Sequence, residues 1–268
     1  MERDFTAALQ SLAQKGVSYA TVFDVGCADG HFFVDHFVRG LFQEAVPVNI
    51  DPNPVYEESL RRVRATFGGH YRIAAASDSA GESELTVAVH PYWSSLRPRD
   101  DLYWDRINKL AADTRKVPSL RLDDLVAELD ATPPYLLKLD VQGAEVQALR
   151  GARNVLAQTN VVICEADIAD FHAINSELLA AGFDLYDITM LQRLNDGTLG
   201  WFYPLYLSRR LANLKPRRFW EGDSNEALIK QQTRRRQQIL DWLDQMLPQI
   251  RAAMNARKSA GNPNRAHD

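Results

Sequence analysis

The chain has 268 residues, 46% of them hydrophobic, and carries 31 Lys+Arg against 35 Asp+Glu, a net charge of −4. This length and apolar content suit one large α/β domain or a domain with an appendage, and the acidic balance argues against a general nucleic-acid binder. No apolar run approaches the roughly 20 residues that span a bilayer.

In chain order, the opening MERDFTAALQ mixes acidic and polar residues with no apolar signal core, so no secretory leader is expected. Phe5, Ala8, Leu9, Leu12 and Ala13 recur at helical spacing, predicting a helix over 3–15. TVFDV (21–25) reads as a strand and His31 to Phe42 as a helix. VPVNI (46–50) is a strand, Val55 to Phe67 a helix, and YRIAAA (71–76) a third strand. LTVAVH (85–90) alternates like a further strand. Residues 91 to 116 are aromatic and charged with little periodicity, and VPSLRL (117–122) is short and extended. A helix follows at Asp123 to Leu129, then a strand in YLLKLD (135–140) and a helix from Ala144 to Leu156. VVICEA (161–166) is a strand and Ile174 to Ala181 a helix. FDLYDI (183–188) and GWFYPLYL (200–207) flank an Asp196-Gly197 turn. Repeated strand–helix units imply a parallel sheet covered on both faces. A turn instead of a helix before the final strand makes that strand antiparallel.

The charge is uneven. From Arg209 onward there are 13 Lys+Arg and 6 Asp+Glu, leaving 18 basic and 29 acidic residues before it. An acidic body at 1–208 and a basic helical extension at 209–268 are therefore expected to have different jobs. In the extension Ile239, Leu240, Trp242, Leu243, Met246 and Leu247 fall on one helical face behind Arg234, Arg235 and Arg236. Pro248 is expected to end or kink that helix near Leu247. The face suits packing on the domain or on a second copy; alternatively it suits anionic lipid or an acidic partner. The closing SAGNPNRAHD is polar and reads as disordered. Two cysteines, Cys27 and Cys164, make no disulfide framework, which fits a reducing cytoplasm. The expected location is cytoplasmic, with peripheral contact at the inner face of the membrane as a variant.

The most specific local signal is VFDVGCADG (22–30), an apolar run that breaks into a turn with two carboxylates. In an open parallel sheet, ligands sit beyond the carboxyl ends of the strands. The pyrophosphate fingerprint G-x-G-x-x-G is absent, because Gly26 and Gly30 are four apart and Asp29 would face the phosphates; Gly-Lys-Ser/Thr is absent too. Carboxylates repel anions at short range but suit a cation-bearing ligand such as S-adenosylmethionine. Asp24 can accept from its ammonium, and Gly26 lets the chain turn and approach the ligand without a Cβ. Asp51, followed by Pro52, ends the second strand where a carboxylate can take both ribose hydroxyls. Ser77 and Asp78 end the third strand where an adenine amine can be held. Cys27, Asp29, Gly30 and Asp140 complete the expected donor site. Each acid alone is also an ordinary helix cap or turn former.

The stretch LLKLDVQGAEVQALRGA (136–152), together with FDVGCADG, IDPNP (50–54), AASD (75–78) and VVICEAD (161–167), resembles the FkbM-type methyltransferase family. The matching positions are Lys138, Asp140, Val141, Gly143, Ala144, Glu145, Leu149, Gly151 and Ala152; Gln142 departs, replacing the family's usual glutamate. The resemblance covers about residues 20 to 190. It implies a Rossmann-like class I fold: a doubly wound, seven-stranded α/β sheet with its last strand antiparallel. It also implies S-adenosylmethionine as donor and, commonly, a hydroxyl acceptor on a sugar, glycan or natural product.

A sugar hydroxyl is a poor nucleophile, so a base or metal must help remove its proton. Asp140 is the first candidate to orient the donor or acceptor or to act as base. Glu145 reads either as a favourable helix-start charge or as catalytic. Lys138 alternates with Asp140 and reads as an ion-pair partner or as charge stabilisation near the acceptor. His172 is a candidate proton shuttle or a plain surface residue; His31 and His90 are weaker. Asp140, Glu165 and Asp167 offer oxygen ligands for Mg²⁺ or Ca²⁺, but they lie on two strands and Gln142 removes a further oxygen, so the reading favours no metal. Tyr92, Trp93, Tyr103 and Trp104, with Ser94 and Ser95, offer flat faces and hydrogen-bonding groups for a sugar; the alternative is a lid loop whose aromatics pack on the domain. A non-catalytic scaffold acting through the basic tail remains the competing function.

Overall fold

The computed structural model describes residues 4–96, 111–214 and 225–260. The chain divides into two units, Met1–Lys215 and Pro216–Asp268.

In the first unit the strands are, in chain order, β1 (Thr21–Val25), β2 (Val46–Asp51), β3 (His70–Ile73), β4 (Ala75–Ala76), β5 (Gly81–Ala88), β6 (Ala111–Leu120), β7 (Tyr135–Leu139), β8 (Thr159–Cys164), β9 (Ala166–Asp167), β10 (Phe183–Thr189) and β11 (Trp201–Ser208). The main sheet has the order β10-β11-β8-β7-β1-β2-β3, with β9 pairing beside β11. Its pairings are parallel except that β11 runs antiparallel to β10, β8 and β9. This is the seven-stranded arrangement with an antiparallel last strand that the resemblance implies.

Every residue of β1 and β7 is buried, the charged Asp24 and Lys138 included, as strands covered on both faces should be. Alternate residues feed two separate cores. Phe23, Val25, Leu137, Leu139, Val162 and Cys164 pack on one face with Leu122, Leu125, Ala148, Leu149, Ile174 and Leu178. Val22, Leu136, Val161, Ile163, Leu205 and Leu207 pack on the other with Ala8, Leu9, Leu12, Phe32 and Phe33. Among the described residues of this unit the α-helices are α1 (Phe5–Gln14), α2 (His31–Val38), α3 (Glu57–Phe67), α4 (Leu122–Leu129), α5 (Glu145–Arg150), α6 (Arg153–Gln158) and α7 (Ile168–Ala180).

Several elements depart from the sequence reading. The helix expected through Phe42 stops at Val38, where Gly40 takes φ +79° and turns the chain. Phe42 then folds back, buried, onto Phe33 with ring centroids 5.7 Å apart. The helix expected over Ala144–Leu156 is two helices, because the chain at Gly151 presses against Ser77: a Cβ there would lie 1.9 Å from the Ser77 carbonyl oxygen. The buried Asp123 carboxylate supplies the second start, accepting from the amides of Asn154 (2.9 Å) and Val155 (3.0 Å). The helix expected from Ile174 starts six residues earlier, capped by Asp167.

The expected third strand also breaks. Only β3 stays in the main sheet, while Ala75–Ala76 pair with β6 in a separate sheet of order β4-β6-β5. Strand β6 begins at Ala111, inside the stretch that lacks periodicity, because residues 113–116 form a largely exposed ladder with β5 and have no core face to mark them. Tyr103 and Trp104 lie outside the described residues.

The second unit contains α8 (Asn225–Ala260), 36 residues that run through Pro248 instead of ending at Leu247. Proline forfeits one backbone donor and costs a helix interior about 3 kcal/mol. The helix formers after it, among them Arg251, Ala252, Ala253 and Met254, resume the ladder. Residues 261–268 of the polar end lie outside the described residues. No helix among the described residues is long and apolar enough to cross a membrane.

Candidate active site

Strand register brings the chemistry together. Val25 stands beside Ile50 and Leu139, and Leu139 beside Cys164. One step further along each chain come Gly26, Asp51, Asp140 and Glu165, at the carboxyl edge where the strand order reverses. One step below those pairs, Asp24 stands between Asn49 and Lys138. The acids therefore occupy two layers, with Asp24 the deeper.

In the deep layer Asp24 is fully buried and Lys138 is buried beside it. Lys138 Nζ donates to Asp24 Oδ1 at 3.0 Å and lies 3.5 Å from Asp140 Oδ2. It also lies 5.6 Å from the centre of the Phe32 ring. Burial pushes the Asp24 carboxyl up despite its lysine partner. Burial opposes the Lys138 charge, yet the carboxylates of Asp24 and Asp140 raise its pKa overall. Lys138 is thus an ion-pair partner in the structure, joining the deep acid to the upper one. Asp24 Oδ2, Asn49 Oδ1 and the Tyr56 hydroxyl are buried without a hydrogen-bond partner.

In the upper layer Asp140 and Glu165 share two clamps. Gln142 Nε2 donates to Asp140 Oδ1 at 3.0 Å and to Glu165 Oε2 at 2.6 Å. The Tyr203 hydroxyl lies 3.0 Å from Asp140 Oδ2 and 3.4 Å from Glu165 Oε1. Burial works against ionisation at both carboxyls. At Asp140 the Lys138 charge and the hydrogen bonds prevail and hold its pKa low. At Glu165 burial and the neighbouring Asp140 charge push it well up. The two shifts run in opposite directions, Asp140 down and Glu165 up, so the pair's first charge is favoured on Asp140. The sequence reading missed Tyr203 and assigned Gln142 no part beyond a lost ligand.

Asp51 is buried in a backbone cradle, accepting from Ala28 N at 2.9 Å on Oδ2 and Asn53 N at 2.8 Å on Oδ1. Burial nevertheless pushes its pKa up to about 6. Glu145 Oε1 accepts from the amides of Val141 (3.1 Å) and Gly143 (3.2 Å), closing the turn between β7 and α5. Burial pushes it to about 7. Its contacts are those of a turn-closing helix-start residue.

Gly26 turns the chain as its sequence suggests and carries a second constraint. At φ +71° it passes so close to the chain after β7 that a Cβ would lie 1.8 Å from the Asp140 carbonyl oxygen. Gly30, at φ +80°, opens α2 against Leu60 and Val63. Cys27 is buried, with its thiol pushed well up by burial.

The 91–93 turn crosses the loop after β1. The Tyr92 hydroxyl donates to Asp29 Oδ2 at 3.0 Å, and His31 Nδ1 lies 2.8 Å from Asp29 Oδ1. Partial burial opposes the Asp29 charge, but these hydrogen bonds hold its pKa low. The Tyr92 ring lies 5.8 Å from Tyr56 and 5.4 Å from His90, and Trp93 lies 5.1 Å from His90. Tyr92 and Trp93 are exposed. Ser94 and Ser95 are tethers: Ser94 Oγ accepts from Ala88 N at 3.3 Å, and the buried Ser95 bonds to Thr86 and to the Gln142 carbonyl.

The other expected site residues are placed as follows. Ser77 and Asp78 follow β4, in the second sheet, and so do not end a strand of the main sheet as expected. Asp167 caps α7 by accepting from Asp170 N at 2.8 Å. His172 is exposed on α7 against Phe171. Pro52 follows the Asp51 cradle, partly buried. Among the described residues no group of three or more His, Cys, Asp or Glu is arranged to hold a metal ion.

A family model for the methyltransferase FkbM domain matches residues 24–185. No curated protein matches the chain. Among solved structures it is similar to a methyltransferase FkbM from Methylobacillus flagellatus, at 16% identity and a TM-score of 0.46 over 71% of this chain. The match spans 43% of that protein's length. It is also similar to Aeropyrum pernix fibrillarin in complex with S-adenosyl-L-methionine, at 14% identity, a TM-score of 0.40 and 74% of each chain. A putative O-methyltransferase from Klebsiella pneumoniae is similar at 10% identity and a TM-score of 0.41, over 76% of this chain and 78% of that one.

Proposed function

The chain belongs to the FkbM methyltransferase family, and from that premise we propose that it transfers a methyl group from S-adenosylmethionine to a hydroxyl oxygen of a sugar-containing or natural-product acceptor. The sheet order is that of the Rossmann-like class I methyltransferases.

The observation that carries the donor assignment is the surplus of buried acceptor atoms beside the turn after β1. Asp24 Oδ2 and Asn49 Oδ1 have no partner, and a buried polar atom left unsatisfied costs about 1–3 kcal/mol. A ligand bearing an ammonium supplies the missing donors. Each Asp51 oxygen accepts one backbone N–H and keeps a lone pair for a ribose hydroxyl. Asp29, Asp51 and Asp140 together disfavour a pyrophosphate. S-adenosylmethionine fits this donor set, with Asp24, Asn49, Asp51 and Asp29 as its holders. Bound there, it supplies a methyl group made electrophilic by the sulfonium.

The remaining chemistry belongs to the chain. Methyl transfer needs the acceptor oxygen held in line and relieved of its proton. Asp140 is the proton acceptor in this reading: Lys138, Gln142 and Tyr203 favour its charged form and fix it in place. Tyr92 and Trp93 offer aromatic faces to the apolar side of a sugar ring.

Incubating the full chain with methyl-labelled donor and a panel of glycans and natural-product alcohols tests this. Labelled methyl ethers are expected. Methylation confined to nitrogen or carbon overturns the hydroxyl assignment. Donor binding without turnover on any acceptor favours a non-catalytic scaffold.

A further inference from the structure

We infer that α8 is a docking helix for an anionic phospholipid surface, lying in the plane of the interface. Ile239, Trp242, Leu243, Met246, Leu247, Ile250 and Met254 fall within an arc of about 140° at 100° per residue, over about 23 Å of helix. Five of these, Ile239, Trp242, Leu247, Ile250 and Met254, are 43–55% exposed, and Leu243 and Met246 are partly exposed.

The charges around the stripe choose its partner. Arg235 and Arg236 stand on the stripe's own face one turn before it begins, and Arg251 stands just beyond its rim. Asp241 falls opposite the arc, and Asp244 falls outside it about 60° beyond the rim, about 20° from Arg251. An apolar band with cations at its margin and acids outside it matches acyl chains beneath anionic headgroups.

A second copy fits less well. In a parallel pair Arg235 and Arg236 meet themselves. In an antiparallel pair centred on the stripe they stand opposite positions 257 and 258, which are Arg and Lys. Either way like charges face each other.

Cosedimentation of the full chain with phosphatidylcholine vesicles, with and without phosphatidylglycerol, tests the inference. The wild type is expected to partition onto the anionic vesicles and weakly onto the neutral ones. Raising NaCl from about 0.1 M to about 1 M, which shortens the Debye length from about 10 to 3 Å, should release much of it. The double substitutions Trp242→Glu/Leu243→Glu and Arg235→Gln/Arg236→Gln should each lower partitioning about tenfold or more, with helix content and light-scattering mass unchanged. Three results overturn the inference. The first is absent binding, or binding equal on both vesicle types. The second is anionic binding indifferent to Trp242→Glu/Leu243→Glu, the behaviour of a purely electrostatic surface for an acidic protein. The third is a fall in molecular mass in that variant, which assigns the stripe to a second copy.

Discussion

Gly26→Ala should destabilise the catalytic unit by about 3–5 kcal/mol and abolish donor binding. Two independent costs combine. The residue sits at φ +71°, where an L-residue is strained, and its Cβ would lie 1.8 Å from the Asp140 carbonyl oxygen and 2.6 Å from its carbon. Both are backbone atoms, so no side chain can rotate away. Either β1 and β7 part or the turn after β1 rebuilds, and both movements displace Asp140 from Lys138. Gly16→Ala is the matched control, because Gly16 has φ +84° with nothing within 4 Å of a built Cβ. It should cost about 1 kcal/mol, the conformational part alone. Denaturant unfolding of both variants separates the terms. Equal losses would show that the close approach of the two chains is unimportant.

Asp140→Asn should lower kcat about 10²–10⁴-fold, the usual scale for a lost proton acceptor, while leaving donor affinity within a few-fold. The substitution keeps the shape and the contact with the Tyr203 hydroxyl but removes the charge that Lys138 faces at 3.5 Å. It also removes a neighbouring charge that, after burial, pushes the Glu165 carboxyl up. Steady-state kinetics on any hydroxyl acceptor that turns over, with the melting temperature as a check on folding, gives the answer. A kcat within about threefold of wild type would make Asp140 a positioning residue and move the base elsewhere.

How far the sequence revealed the fold depends on how each segment is buried. Strands β1, β7 and β8 are mostly apolar runs because both faces are covered, so composition marks them. Strand β6 carries Asp113 to Lys116 in a mostly exposed hairpin, and no burial pattern announces it. The run YRIAAA is apolar but for Arg72 and conceals the step from one sheet to the other at Ala74. The break at Gly151 depends on the distant Ser77 carbonyl, which no local pattern contains.

The site divides the same way. Asp24, Asp51, Lys138 and Asp140 stand at or near strand ends and are legible as such. Tyr203 is not, because its meaning depends on β11 lying antiparallel to β8. With Leu205 opposite Ile163 and Phe202 opposite Ala166, the next step sets Tyr203 against Glu165. The tether from Tyr92 to Asp29 likewise spans 63 residues. The place of Gly26 against Asp140 needs the β1–β7 pairing.

The most direct test is calorimetric titration of the full chain with S-adenosylmethionine, S-adenosylhomocysteine and NAD. The two sulfur ligands should bind and NAD should not, with Asp51→Ala weakening S-adenosylmethionine by about 1.5–3 kcal/mol. Tight binding of NAD with no heat from either sulfur ligand would contradict the account, as would an Asp51→Ala protein that binds the donor as well as the wild type.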